Sequence, residues 1–300
     1  MKYLLSTLLF LCSFGLTAQT GEISTDSLMA HVRFLAADDL KGREIGTPGN
    51  ATAAAYILDR FKAYGLSEAG TEGYRQPFRF YSRFFMSTYN GVNLLAMVKG
   101  TRSADSVIVI SAHYDHVGER DGKIYNGADD NASGVGALLE LARYFQANPA
   151  PYSLLFAAFD AEEVGLRGAN HFVDEPTVTL QHIILNINMD MIGRNDKEEV
   201  YICGTGYHPR LRAPLDSLAE AATIKISFGH ESPSPTRADD WTHASDHGEF
   251  HKKGVPFLYF GVEDHPDYHQ PTDDTERIMP EFYTAVSRFI QQSVLHLSRP

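Results

Sequence analysis

Hydrophobic residues follow two kinds of pattern along the chain. Apolar positions recur at helical spacing in the segments 28–37, 50–64, 132–146 and 280–296. Shorter, predominantly apolar runs predict strands at 92–98, 107–112, 154–159, 183–187 and 255–260. Because strands alternate with helices, the pattern predicts an α/β fold with a central mixed, mostly parallel β-sheet flanked by helices on both faces.

Length and composition fit one soluble globular unit. The chain has 300 residues, of which 43% are apolar and 21% are charged, which is enough for a large core. We find no internal repeat and no low-complexity linker, so residues 19–300 are predicted to form a single domain. The net charge is −12 with no basic patch, which argues against a nucleic-acid partner.

The first 18 residues have the pattern of a signal peptide. Lys2 precedes an apolar stretch at 4–16, and Ala18 ends a small-residue cleavage site. A membrane anchor is disfavoured because this stretch is short and interrupted by polar residues. A lipoprotein is disfavoured because Cys12 lacks small residues before it. We expect cleavage after Ala18, a secreted or periplasmic protein, and no membrane association afterwards.

Histidine and acidic residues follow four of the predicted strands. In chain order they are His113, the pair Glu162 and Glu163, Asp190 and His269. Sites in open α/β sheets form outside the carboxyl ends of the strands, so we expect these side chains to converge. Imidazole and carboxylate groups are zinc ligands, and an anionic pocket needs cations to offset its charge. The pattern therefore predicts a metal site for two zinc ions.

Three further features fit such a site. Asp129 and Asp130 come just before the helix at 132–146, where a helix N-terminus favours negative charge. Asp115 is two residues from His113 on an extended chain, so its carboxylate can fix the orientation of that imidazole. The two adjacent glutamates suit a division of roles, with one binding metal and the other moving a proton.

Each segment alone also has an ordinary structural explanation. A His-x-Asp unit is often a hydrogen bond, an Asp-Asp-Asn run a turn, and a Glu-Glu pair a solvated helix end. The metal site is favoured because all of them occur together at predicted strand ends. His265 lies close to His269 in the sequence and is expected only at the rim of the site.

From about Leu28 to its C-terminus, the chain resembles the secreted double-zinc aminopeptidases, including the bacterial leucyl aminopeptidases. Relatives in that family are glutamate carboxypeptidase II, the non-catalytic transferrin receptor ectodomain and the glutaminyl cyclases. The resemblance is carried by the segments 34–36, 40–43, 129–134, 162–168, 245–247 and 268–269. It implies the zinc exopeptidase fold and two zinc ions.

The resemblance also implies roles for individual residues. Asp129 is expected to bridge both ions, with a cis peptide bond to Asp130. His113 and Asp190 complete one zinc site, and Glu163 and His269 complete the other. Glu162 is the expected general base, Asp115 supports His113, and Asp246 lies behind the metals or faces the substrate amine.

The function implied is hydrolysis of N-terminal residues from peptides with a free N-terminus, by a metal-bridging hydroxide and a glutamate base. The alternative is a glutaminyl cyclase on the same fold. That activity would favour a tryptophan in the turn where this chain has Tyr268, and the only tryptophan is Trp241. A third possibility is a non-catalytic, receptor-like relative, which is disfavoured because such relatives have lost ligands.

Overall fold

In the computed structural model, which describes residues 22–83, 86–231 and 240–299, a nine-stranded mixed sheet carries helices on both faces. The helices are Thr25–Leu35 (α1), Pro48–Tyr64 (α2), Gly134–Ala147 (α3), Arg167–Asp174 (α4), Arg212–Glu220 (α5), His247–Lys252 (α6) and Pro280–Leu297 (α7). The strands are Ser67–Glu68 (β1), Arg75–Ser82 (β2), Ser87–Val98 (β3), Ser103–His113 (β4), Gly118–Arg120 (β5), Lys123–Tyr125 (β6), Tyr152–Phe159 (β7), Ile183–Met189 (β8), Glu199–Cys203 (β9), Lys225–Phe228 (β10) and Phe257–Gly261 (β11). Strands β5 and β6 form a separate hairpin.

The sheet has a parallel centre. Its strand order is β1-β3-β7-β4-β8-β11-β9-β10, with β2 paired to β3. Strands β7, β4, β8 and β11 are parallel neighbours, whereas β3 and β9 flank them in the antiparallel direction. The predicted mixed sheet is therefore confirmed, and the carboxyl ends of its four central strands meet at one edge.

Alternate residues of the central strands face two separate layers of helices. Ile108 and Ile110 pack in the larger core with residues of α1, α2, α3 and α7. Val107 and Val109 face the opposite side, where they pack in a core with Phe172 of α4 and with Phe250 of α6. Burial on both faces explains the apolar runs of these strands and confirms the predicted helices on both sides.

Several element boundaries differ from the sequence pattern. The helix predicted from residue 132 begins at Gly134, because Asp130 and Asn131 in the preceding turn leave helical dihedral angles. Helices α4 and α6, with eight and six residues, are too short to give a clear helical period and were not predicted. The edge strand β2 was also missed, because two of its three buried residues, Gln76 and Ser82, are polar and give no apolar alternation.

The predicted signal peptide, residues 1–18, lies outside the described residues. Within the part of the chain that is described, none of the helices is long and apolar enough to cross a membrane.

A buried arginine ties the N-terminal region to the loops at the edge of the sheet. Arg43 is 1% exposed. Its guanidinium donates to the carbonyl oxygens of Leu35, Tyr114, Asn126 and Gly127, at 2.6 to 3.0 Å. Burial lowers the pKa of Arg43 to about 10, so the group remains charged at neutral pH. The rigid fork of the guanidinium suits this arrangement of separate acceptors.

We expect Arg43→Lys to lower the free energy of unfolding by at least about 2 kcal/mol. An ammonium group cannot reproduce the planar fork, and each buried acceptor left without a donor costs about 1–3 kcal/mol. Urea denaturation of the metal-free protein measures the change. Lys41→Gln is the matched control, because the Lys41 side chain is 67% exposed and pairs only with Glu119 at the surface. Equal stability of the two variants would contradict this role for Arg43.

Candidate metal centre

Two groups of side chains lie at the edge of the sheet. Within each group, the possible ligand atoms lie within 4.8 Å of one another. The first, called here the His113 group, consists of His113, Glu162 and Asp190. The second, called the His269 group, consists of His116, Asp130, Glu163 and His269. His113 is the last residue of β4 and Asp190 follows β8 directly, so parallel strand ends bring these two together. His113 Nε2 lies 3.3 Å from Asp190 Oδ1.

Asp130 lies between the two groups. Its Oδ1 atom is 3.4 Å from His113 Nε2, and its Oδ2 atom is 3.0 Å from His269 Nε2. The side chain is buried, with 4% exposure. Each oxygen of this one carboxylate thus faces a different group, which is the arrangement expected of a ligand shared by two metal ions.

This position was assigned to Asp129 from the sequence, and the structure corrects that assignment. The Asp129 carboxylate points away from both groups. Its Oδ1 atom accepts a hydrogen bond from the Gly193 N–H at 2.7 Å, and its Oδ2 atom lies 3.0 Å from His265 Nε2. The cis peptide bond joins Asp130 to Asn131, rather than Asp129 to Asp130. Adjacent side chains project in different directions, so the path of the turn decides which aspartate enters the site.

Asp273 and Asn131 hold this turn in place. The Asp273 carboxylate accepts the backbone N–H groups of Asp129 and Asp130 at 3.0 to 3.1 Å. The Asn131 side chain donates to the carbonyl oxygen of Met189 at 2.9 Å. The turn is therefore fixed both to the end of β8 and to the segment that carries His269.

Asp115 supports more than His113. His113 Nδ1 lies 3.2 Å from the backbone carbonyl oxygen of Asp115 and 3.7 Å from its carboxylate. The same carboxylate accepts the N–H groups of Glu162 and Glu163 at 3.0 and 3.3 Å. Asp115 therefore orients the imidazole so that Nε2 faces the site, and it also fixes the turn that carries both glutamates.

The two adjacent glutamates differ in their electrostatic environment. Burial raises the pKa of Glu162 well above its usual range; His113 opposes this shift, and neighbouring carboxylates add to it. Burial also disfavours ionisation of Glu163, but two neighbouring imidazoles lower its pKa to about 2. Glu163 is therefore held as an anion, as a metal ligand must be, whereas Glu162 accepts a proton readily.

The donor set fits a divalent transition metal. Imidazole nitrogens and carboxylate oxygens are the ligands that zinc takes in proteins. Glu163 Oε1 and both ring nitrogens of His116 are buried and have no hydrogen-bond partner in residues 22–83, 86–231 and 240–299, which leaves them available as ligands. Burying this many carboxylates together also requires positive charge to offset them.

A pocket opens beside the two groups. It is lined by Asp130, Glu162, Asp190, Met191, Trp241, Ala244, Tyr259, Val262, Asp264, Tyr268 and His269. Asp246 is fully buried, and within the described part of the chain neither of its carboxylate oxygens is hydrogen-bonded. Burial raises its pKa to about 8. It belongs to neither ligand group, and its expected role, either behind the metals or facing the substrate amine, stays a prediction.

Residues 93–294 match the model of Peptidase family M28. The chain belongs to this family. It is 32% identical over 185 residues to aminopeptidase YwaD of Bacillus subtilis (strain 168), a match covering 58% of this M28 chain and 37% of that protein. It is 31% identical over 176 residues to the alkaline phosphatase isozyme conversion protein of Escherichia coli (strain K12), covering 52% and 48% of the two proteins. These matches thus span less than half of each relative's length.

Solved structures share the fold over most of the M28 chain. An aminopeptidase from Aneurinibacillus sp. strain AM-1 superimposes with a TM-score of 0.72 at 18% identity, covering 94% of this chain and 95% of that one. The glutaminyl cyclase of Bacteroides thetaiotaomicron gives a TM-score of 0.73 at 17% identity, covering 91% and 98%. The zinc exopeptidase fold is therefore confirmed.

One residue of the M28 site was missed from the sequence. His116 lies three positions after His113, and its side chain is fully buried within the His269 group. The sequence signal was present, since His116 extends the His-Tyr-Asp segment directly. That signal alone does not place His116 in the site, because its place depends on contacts with Glu163 and His269, which are distant in the sequence.

We expect Asp130→Asn to reduce bound divalent metal far more than Asp129→Asn. Asp130 contributes an oxygen to each group, whereas the Asp129 carboxylate accepts a backbone N–H that an asparagine oxygen can still accept. Metal per chain after gel filtration, measured by inductively coupled plasma mass spectrometry, compares the two variants. Normal metal content in Asp130→Asn with loss in Asp129→Asn would restore the assignment made from the sequence.

Proposed function

We propose that this M28 chain is a zinc-dependent aminopeptidase that hydrolyses N-terminal residues from peptides. The observation that supports this most directly is that Glu162 belongs to one of two adjacent potential metal-binding groups, with the Asp130 carboxylate lying between them. Relatives named as aminopeptidases give further support. They include YwaD and the leucine aminopeptidase 2 of Trichophyton equinum, which is 29% identical over 174 residues.

In this proposal Asp130 would be a ligand shared by two zinc ions. His113 and Asp190 would hold one ion, and Glu163 and His269 would hold the other. Bound zinc supplies a Lewis acid that acidifies water and polarises a carbonyl group.

Glu162 moves the proton in the proposed reaction. As a carboxylate it takes a proton from the attacking water, and it then delivers this proton to the leaving amine. Burial, which raises the pKa of Glu162, stabilises the protonated form that the second step needs. Tyr259 and Tyr268 line the same pocket, and burial raises the pKa of both phenols. Both therefore stay protonated and can donate to a carbonyl oxygen.

The pocket has the charge expected for recognition of a free N-terminus. Glu162, Asp190 and Asp264 line it, so a protonated or partly protonated amine would be favoured there. Met191 and Val262 provide an apolar part of the wall. A peptide with a blocked N-terminus would lose the charged contact, which supports cleavage from the end of the chain.

A glutaminyl cyclase is the second candidate. Trp241 lines the pocket, and a cyclase shares the fold. Tyr268 nevertheless occupies the turn where that activity favours a tryptophan.

We also propose that residues 1–18 are a signal peptide, so that residues 19–300 form a secreted or periplasmic domain.

A short peptide that begins with glutamine separates the two activities. We expect the zinc-loaded protein to release the whole first residue, and a chelator to abolish the release, because the reaction needs the bound ions. Mass spectrometry of the products measures this. Loss of ammonia alone would identify a cyclase, and an intact peptide across a panel of N-terminal residues would contradict both activities.

We expect Glu162→Gln to lower kcat/KM by about 10²–10⁴-fold, the usual contribution of a positioned acid–base group, with zinc content unchanged. The amide keeps the shape of the side chain but cannot take up the proton. Steady-state kinetics and metal analysis on one preparation check both parts. Glu119→Gln is the control, since the Glu119 side chain is 41% exposed at the surface. Full activity in Glu162→Gln would exclude Glu162 as the base.

A further inference from the structure

His116 is a buried imidazole whose nitrogens have no hydrogen-bond partner among the residues that the structure describes. Its side chain is 0% exposed, and both ring nitrogens are without a hydrogen bond. Nδ1 lies 2.7 Å from Glu163 Oε1, an atom that is itself buried without a hydrogen bond. Nδ1 is also 3.7 Å from Asp130 Oδ2. The contact has the distance of an ion pair, but buried polar atoms without a hydrogen bond are costly, which favours a common partner for these atoms.

The surrounding loop is shaped to admit the His116 ring. Gly127 packs against it, and a Cβ atom at that position would lie 2.5 Å from His116 Cδ2 and 2.1 Å from the carbonyl oxygen of Asp130. The Arg43 side chain holds the carbonyl oxygen of Gly127, while the Arg43 carbonyl accepts the backbone N–H of His116 at 3.3 Å. Arg43 therefore fixes both the backbone of His116 and the backbone of Gly127, which packs against the imidazole.

A hydrogen bond from His116 to Glu163 is the competing explanation of the short contact. Both atoms nevertheless remain without a hydrogen bond at a separation of 2.7 Å. Two ligand atoms that approach each other so closely can instead bind a third atom. The other members of the His269 group, Asp130 and His269, lie around the same position.

We propose that His116 is a fourth protein ligand of the ion held by Asp130, Glu163 and His269. This inference rests on the proposed binding of zinc, and it makes the two sites different in kind. With His116 the His269 site would have four protein ligands, the number found in structural zinc sites. The His113 site would have His113, Asp190 and the shared Asp130, and three protein ligands are the number found in catalytic zinc sites.

The difference predicts two steps of zinc release. We expect one ion per chain to leave the full-length, zinc-loaded protein at low chelator concentration, and the second only at much higher concentration. Zinc per chain after equilibration with graded EDTA, measured by inductively coupled plasma mass spectrometry, gives both steps. This measurement of zinc does not depend on whether the protein cleaves peptides.

Three variants of His116 separate a ligand from a hydrogen-bond donor. His116→Asn places an N–H donor near the position of Nδ1, whereas His116→Asp places a ligand oxygen there without a donor. We expect His116→Ala and His116→Asn to weaken the second ion by more than about 100-fold, beyond the 10–100-fold typical of losing a residue that only orients a ligand. His116→Asp should recover part of the affinity. His265→Asn is the control, because His265 faces Asp129 outside both groups.

The opposite order of the variants would overturn the proposal. Wild-type retention in His116→Asn with loss in His116→Asp would make His116 a hydrogen-bond donor to Glu163. Circular dichroism of each metal-free variant shows whether it folds. If His116→Ala does not fold, the comparison of the near-isosteric variants His116→Asn and His116→Asp still tests the proposal. A wild type that binds zinc in two steps but cleaves no peptide would contradict only the proposed function. A wild type without bound zinc would contradict both.

Discussion

Negative charge is concentrated where the parallel strands end, and carboxylates removed from water there need positive partners. Asp130, Asp246 and Asp273 are each almost inaccessible to solvent, and burial raises the pKa of Asp246 and Asp273 to about 8 and 7. Imidazoles and the Arg43 guanidinium supply part of the positive charge, and the proposed metal ions supply the rest. Metal binding in such a site contributes directly to the stability of the fold, because the unfolded chain has no preformed site.

Some residues around the site hold its loops in place, and others set the protonation state of its glutamates. Asp115 and Asp273 accept backbone N–H groups and so hold the turns that carry the ligands. Within the site, neighbouring imidazoles keep Glu163 ionised, while burial and adjacent carboxylates favour the protonated form of Glu162. Two adjacent glutamates on one turn thereby acquire the different properties that a ligand and a proton carrier require.

The parts of the fold visible in the sequence are those with a strong local signal. The buried run at 154–159 became β7 almost unchanged, since a central strand covered on both faces leaves little room for polar residues. The choice between Asp129 and Asp130 was wrong, because it depends on the path of a non-helical turn that no periodicity reports. His116 was missed because its role depends on contacts with Glu163 and His269, which are far from it in sequence.

The metal centre depends on residues that are far apart in the chain. The candidate ligands extend from residue 113 to residue 269, and the Arg43 side chain binds the carbonyl oxygens of Tyr114 and Gly127 in two of the loops beside them. Neither half of the chain contains a complete centre. A nascent or truncated chain therefore cannot capture its full complement of metal, and metal uptake reports that distant segments have docked correctly. In such a protein, a molecule that retains metal at this centre has brought distant segments together, whereas a molecule without metal can still be folded.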